Sequence, residues 1–241
     1  MIAHAFRTMG TVVSLMSASP LGTPAIGRVE EVFRGYDERF SLYRPDSELS
    51  RIADGRLRLG AASEQTRDAY AEALRWSGRT LGAFTPHRPD GVLDLAGTVK
   101  ALAIRDAGAA LDAAGALDWV VNAGGDSLER RPADLPPRAV GIADPDRRGR
   151  ILTAITLSGR RRAVATSGTS ERGEHVWGRA PGIRQATVVA DDIVTADVYA
   201  TAILAAGTDL LDALTATADL DALLLRDDGE MLATGGIRLA A

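Results

Sequence analysis

The chain has 241 residues, 46% of them hydrophobic and 25% charged, with a net charge of −4, proportions that suit one soluble globular domain with a buried core. An acidic balance with scattered basic residues excludes a cationic nucleic-acid face, and no window approaches the roughly 18 apolar residues of a membrane-spanning helix. The lack of cysteine excludes disulfides, thiolate metal sites and a cysteine nucleophile.

The amino-terminal stretch "MIAHAFRTMGTVVSLM" has no charged segment leading into a long apolar run, so it reads as an edge strand over 5–17 and not as a signal peptide; the chain is expected to be cytoplasmic. Val29, Val32, Phe33, Tyr36 and Phe40 recur at three- and four-residue spacing and predict a helix over 27–40. Pro45 then breaks the chain, and Asp46 or Ser47 can cap a short helix. Ala69, Tyr70, Ala73, Leu74, Ser77 and Leu81 give a second helix over 64–81, and "GAFTPHRPDG" (82–91), with two prolines and two glycines, reads as loop.

A helix from about Gly97 to Ala114, stopped by Gly115, follows. Strands are predicted at "DWVVNAGGDS" (118–127, running into a glycine turn), "RAVGIAD" (138–144), "RILTAITL" (150–157), "AVATSG" (163–168) and "QATVVAD" (185–191). Helices at 195–206 and 208–216 precede a closing hairpin, "DALLLRDDGEMLATGGI". "RRGR" (147–150) and "GRRRA" (159–163) read as solvated turns. The elements mix without strict βαβ alternation, which predicts one compact α+β unit over 1–241 with mixed, largely antiparallel sheets and flanking helices.

Three stretches could carry chemistry. In "TADVYAT", Asp197 and Thr201 stand four apart at the start of a helix, which puts a carboxylate and a hydroxyl on one face. Both are hard oxygen donors, suited to Mg²⁺ or Ca²⁺ and not zinc; the same spacing also suits a dipole-favoured aspartate above a packed threonine. In "NAGGD", Gly124 and Gly125 follow a strand and precede Asp126, a turn that could aim N–H groups at an anion or simply close a tight hairpin. In "DLAGTVK", Asp94 precedes a glycine turn and Lys100 is the only lysine among 28 basic residues. The helix start could meet phosphate and the lysine could add a point charge, while a plain surface lysine reads equally from the residue alone. Of three histidines, His175 follows a strand and turn; no GxSxG or HExxH is present.

In this order, "MGTVVSL" (9–15), "FSLYRPDSELSRI" (40–52), "GAFTP" (82–86), "DLAGTVKALAI" (94–104), "VVNAGGD" (120–126), "ATSGTSERGEHVW" (165–177) and "TADVYATAIL" (195–204) resemble the ApbE family of FAD:protein FMN transferases over nearly the whole chain. The resemblance implies a Mg²⁺-dependent enzyme that splits FAD at its pyrophosphate. FMN would pass to a threonine of an acceptor flavoprotein, in a short Ala-Thr motif, with release of AMP. It implies metal ligands at Asp197, Thr201 and the backbone carbonyl of Val99. It places FAD against Met9, Tyr43, Ala83, Phe84, Thr85, Asp94, Ala96 and Leu102, with Gly124, Gly125, Asp126 and Val176 completing the pocket, and makes Lys100 at most an auxiliary charge. Phe84 and Tyr43 suit flat-ring contacts, and His175 is the expected acid–base group. Two acidic positions of the family pattern are replaced, by Thr85 in "GAFTPH" and Gly178 in "HVWGRAPG". The same site with water as acceptor would be a Mg²⁺-dependent FAD pyrophosphatase, and with little turnover a FAD-binding protein.

Overall fold

The computed structural model describes residues 2–147, 149–168 and 179–239. Its amino-terminal strand is two strands, β1 (Ile2–Thr8) and β2 (Thr11–Ser17), paired as an antiparallel hairpin where one strand is expected from the sequence. Met9 and Gly10 make the turn with φ of 48° and 69°, the two left-handed residues that a two-residue hairpin requires. Methionine pays about 1–2 kcal/mol for that conformation, so the apolar pattern gives no sign of the break. β1 is the sheet edge, as expected.

The helices keep close to their expected spans. α1 (Thr23–Phe40) buries Val29, Phe33 and Phe40. Ser47 caps α2 (Glu48–Ala53), accepting from Ser50 N–H at 3.0 Å. Ser63 caps α3 (Glu64–Arg79), accepting from Thr66 N–H. α4 (Ala96–Ala113) is buried along most of one side and ends before Gly115. β3 (Trp119–Ala123), β4 (Asp126–Arg130), β5 (Arg138–Ala143), β6 (Ile151–Leu157), β7 (Ala163–Gly168) and β8 (Ile183–Ala190) follow. Then come α5 (Ile193–Ala206), capped by Asp192 and stopped by Gly207, α6 (Thr208–Thr215), β9 (Asp221–Arg226) and β10 (Met231–Ala233).

Eight strands form one sheet in the order β1-β2-β3-β4-β7-β8-β9-β10, and β5 and β6 form a second of two strands. Every pairing between these strands is antiparallel. The helices are inserted between sheet neighbours, α1–α4 between β2 and β3, and α5–α6 between β8 and β9. Strand alternation sorts the two faces. Ala163 and Ala165 of β7, Ala186 and Val188 of β8, and Leu224 of β9 join the core with α4 and α5. Their neighbours Val164, Val189 and Leu223 point the other way, onto Ile142, Ile155 and Leu157 of the small sheet. Trp119 of β3 is fully buried and donates from its indole to Asp112 of α4 at 2.9 Å, which docks that helix on the sheet. No described helix is long and apolar enough to cross a membrane.

Candidate active site

Antiparallel order decides which segments meet. The β1–β2 turn, the β3–β4 turn and the end of β7 lie at the same end of the sheet, because β1, β3 and β7 run towards it and β2 and β4 away from it. The first turn of α4 reaches this end too, through Lys100. Its ammonium forms an ion pair with the Asp126 carboxylate, and the Asp126 residue is 0% exposed. The other carboxylate oxygen accepts from the Thr166 backbone N–H at 3.0 Å. Ladder pairing between β4 and β7 is short, Ser127 with Val164 and Leu128 with Ala163, so the Asp126 side chain continues the join where the backbone ladder stops.

These contacts give Lys100 and Asp126 a structural role. Lys100 is an ion-pair partner that ties α4 to the β3–β4 turn. Asp126, expected against flavin, is fully buried and joins β4, β7 and α4 through these two partners. The glycine turn itself has φ of 60° at Gly124 and 93° at Gly125, left-handed at both positions as a tight hairpin demands. Gly124 donates its N–H to Val12 O at 3.3 Å, so that group belongs to the sheet and does not face an anion.

β7 also faces α5. Ser167 is in step with Ala163 and Ala165, the residues of β7 that face the helices, and its Oγ lies 2.9 Å from Thr201 Oγ1. Asp197 lies one turn earlier on α5, 5% exposed among Val194, Val198 and Ala200, all buried. A carboxylate inside so apolar a helix costs free energy that cations or hydrogen bonds must compensate. Asp197 and Thr201 supply one carboxylate and one hydroxyl oxygen. This set fits Mg²⁺, which takes one or two carboxylates and fills its remaining positions with water and substrate phosphate. It does not fit a closed protein cage, and among the described residues no group of three or more His, Asp or Glu side chains is placed to form one. Val99, the third expected ligand, sits in the first turn of α4 beside Lys100, its N–H donating to Leu95 O at 2.9 Å.

The remaining expected residues divide by burial. Phe84 is 4% exposed; its ring lies so close to α4 that a Cβ built on Gly97 would stand 2.8 Å from Phe84 Cε2. The ring therefore props the first turn of α4. Asp94 donates its N–H to Pro86 O at 2.9 Å and its side chain accepts from Ala96 N–H at 2.8 Å just ahead of α4, so "GAFTP" and "DLAGTVK" are locked together. Ala83 is partly buried, Thr85 and Ala96 are exposed, and Leu102 is core. Met9 is partly buried against the core, and Tyr43 stands 89% exposed on the loop after α1. His175 and Val176 lie outside the described residues. Sequence reasoning missed Ser167 and the Thr166 N–H; the alternation of "AVATSG" could have put Ser167 on the alanine face, but nothing local names its partner.

The sequence matches the ApbE family over residues 9–89 and 86–224. No curated protein matches it by sequence. Among solved structures, the fold is similar to the ApbE protein from Thermotoga maritima, with a TM-score of 0.80 and 20% identity over 97% of each chain. It is also similar to the flavin transferase ApbE from Vibrio cholerae, with a TM-score of 0.75 and 20% identity over 97% of each chain. The flavinyl transferase ApbE from Pseudomonas stutzeri, in its apo form, aligns with a TM-score of 0.75 and 18% identity over 97% of this chain and 95% of that one. At these identities the likeness shows the fold.

Proposed function

The chain belongs to the ApbE family, and from that premise we propose that it is a Mg²⁺-dependent FAD:protein FMN transferase. In this reading FAD is cleaved at its pyrophosphate and FMN is attached to a threonine hydroxyl, in a short Ala-Thr motif of an acceptor flavoprotein. The names of the similar structures from Vibrio cholerae and Pseudomonas stutzeri, a flavin and a flavinyl transferase, support it. The single observation that carries it is the buried Asp197 one helical turn from Thr201, the latter hydrogen-bonded to the end of β7.

The reaction is an exchange at one phosphorus. The acceptor oxygen bonds to the phosphorus on the FMN side, the bond from that phosphorus to the bridging oxygen breaks, and AMP departs with the bridging oxygen. The threonine hydroxyl loses its proton to a base, for which His175 is the candidate. Mg²⁺ held by Asp197, Thr201 and the Val99 carbonyl would offset charge on the pyrophosphate oxygens. The chain's own contribution is position. The Lys100–Asp126 pair fixes the start of α4 against β4, and Phe84 and Asp94 hold the same turn through Gly97 and Ala96.

The test is incubation with FAD, Mg²⁺ and an acceptor domain carrying a threonine in an Ala-Thr motif. Flavin fluorescence on the acceptor band after denaturing electrophoresis, with equimolar AMP, is the expected result. Free FMN and AMP with an unlabelled acceptor would replace transfer by hydrolysis. FAD binding with neither product would leave a flavin-binding protein. Asp197→Ala should lower AMP release by at least about 100-fold, the loss of several kcal/mol of charge stabilisation.

A further inference from the structure

We infer that Ser167 is a positioning residue for the Thr201 hydroxyl. It accepts the Thr201 proton and so turns the oxygen lone pairs of Thr201 towards a bound divalent cation. The inference rests on the reading of Asp197 and Thr201 as metal ligands and adds a residue to it.

A hydroxyl carries one proton and two lone pairs. At 2.9 Å, Ser167 Oγ and Thr201 Oγ1 share one hydrogen bond whose direction the heavy atoms leave open. A cation on Thr201 Oγ1 decides that direction, because the proton must then point away from positive charge, and Ser167 Oγ is the acceptor at hand. Ser167 is itself fixed from two sides. The alternation of β7 sets it on the helix-bearing face with Ala163 and Ala165. The preceding residue, Thr166, is pinned through its backbone N–H to Asp126 at 3.0 Å and through its hydroxyl to Thr187 at 2.9 Å. The path Lys100–Asp126–Thr166–Ser167–Thr201 thus joins the α4 turn that bears Val99 to the α5 turn that bears the carboxylate and hydroxyl. Outer partners of this kind orient ligands, and their loss typically weakens metal binding by roughly 10- to 100-fold.

The experiment titrates the full chain with Mn²⁺ alone, an ion with the same preference for octahedral oxygen sites, and follows the EPR signal of the free ion. Ser167→Ala should weaken Mn²⁺ binding roughly 10- to 100-fold with an unchanged melting temperature in metal-free buffer. Ser167→Thr, which keeps the acceptor, should restore affinity to within a few-fold. In turnover assays the alanine variant should need correspondingly more Mg²⁺ for half-maximal rate while its KM for FAD at saturating Mg²⁺ stays put. Wild-type Mn²⁺ affinity in Ser167→Ala, with binding abolished in Asp197→Ala, would overturn the role of Ser167 and leave the metal site standing. Wild-type affinity in Asp197→Ala would overturn the metal site itself.

Discussion

Lys100 shows how a single residue can tie two elements together. A sole lysine in an arginine-rich chain draws the eye to a ligand, and the structure pairs it with Asp126, whose carboxylate is wholly buried. Breaking a buried pair from one side strands the other charge, at about 3–5 kcal/mol. Lys100→Met should therefore lower the melting temperature sharply, and adding Asp126→Leu should recover much of the loss, both checked by thermal unfolding. Glu48 offers a pH-dependent counterpart. Burial pushes its carboxyl up, but hydrogen bonds from Thr66 and Ser63 outweigh that and hold it below the ordinary glutamate range. A lowered folded pKa stabilises above the unfolded value of about 4.3, and that stability is lost as pH falls through the folded one. Glu48→Gln should cost about 1 kcal/mol at pH 7 and progressively less in acid, read from denaturant midpoints across pH.

Among the elements, α4 matters most because its first turn meets both "GAFTP" and β4. Gly97 permits the close approach of the Phe84 ring. Gly97→Ala improves helix propensity by up to about 1 kcal/mol, yet overpacking of a fixed ring costs about 1–3 kcal/mol. The net expectation is a lower melting temperature together with weaker FAD binding, since the displaced turn carries Val99 and Ala96; flavin fluorescence titration measures the second effect. A rise in both quantities would show that the ring yields freely. α5 differs in kind. It is buried nearly all round, so its apolar sequence tells that it is inside without telling which side faces β7.

The whole molecule packs a different layer on each face of one sheet. The small β5–β6 sheet packs Ile142, Ile155 and Leu157 onto Val164, Val189 and Leu223, while α4, α5, the main core and the candidate site lie on the opposite face. Ile155→Ala should destabilise by about 2–5 kcal/mol and leave Mn²⁺ affinity unchanged below its melting temperature. A loss of metal affinity in the folded variant would show that the faces are coupled.

Most helices and strands were legible in the sequence because their signals are local: repeats of three and four in α1 and α3, short apolar runs in β3 and β5 to β8, Ser47 and Gly115 at helix ends; β4, with the polar sequence DSLER, was not. The β1–β2 turn was not, since a left-handed methionine goes against its own preference and is held there by the strands on either side. The family motifs, Asp197 and Thr201 were likewise visible as spacing along one helix. Partners were not visible. Lys100 with Asp126, Asp126 with Thr166 N–H, and Ser167 with Thr201 join positions 26 to 40 residues apart, and no local pattern encodes a contact of that range. The sequence by itself determined which residues could serve chemistry; the antiparallel order of the sheet decided which of them meet, because it brings the ends of β3 and β7 to the one end of the sheet where the start of α4 docks.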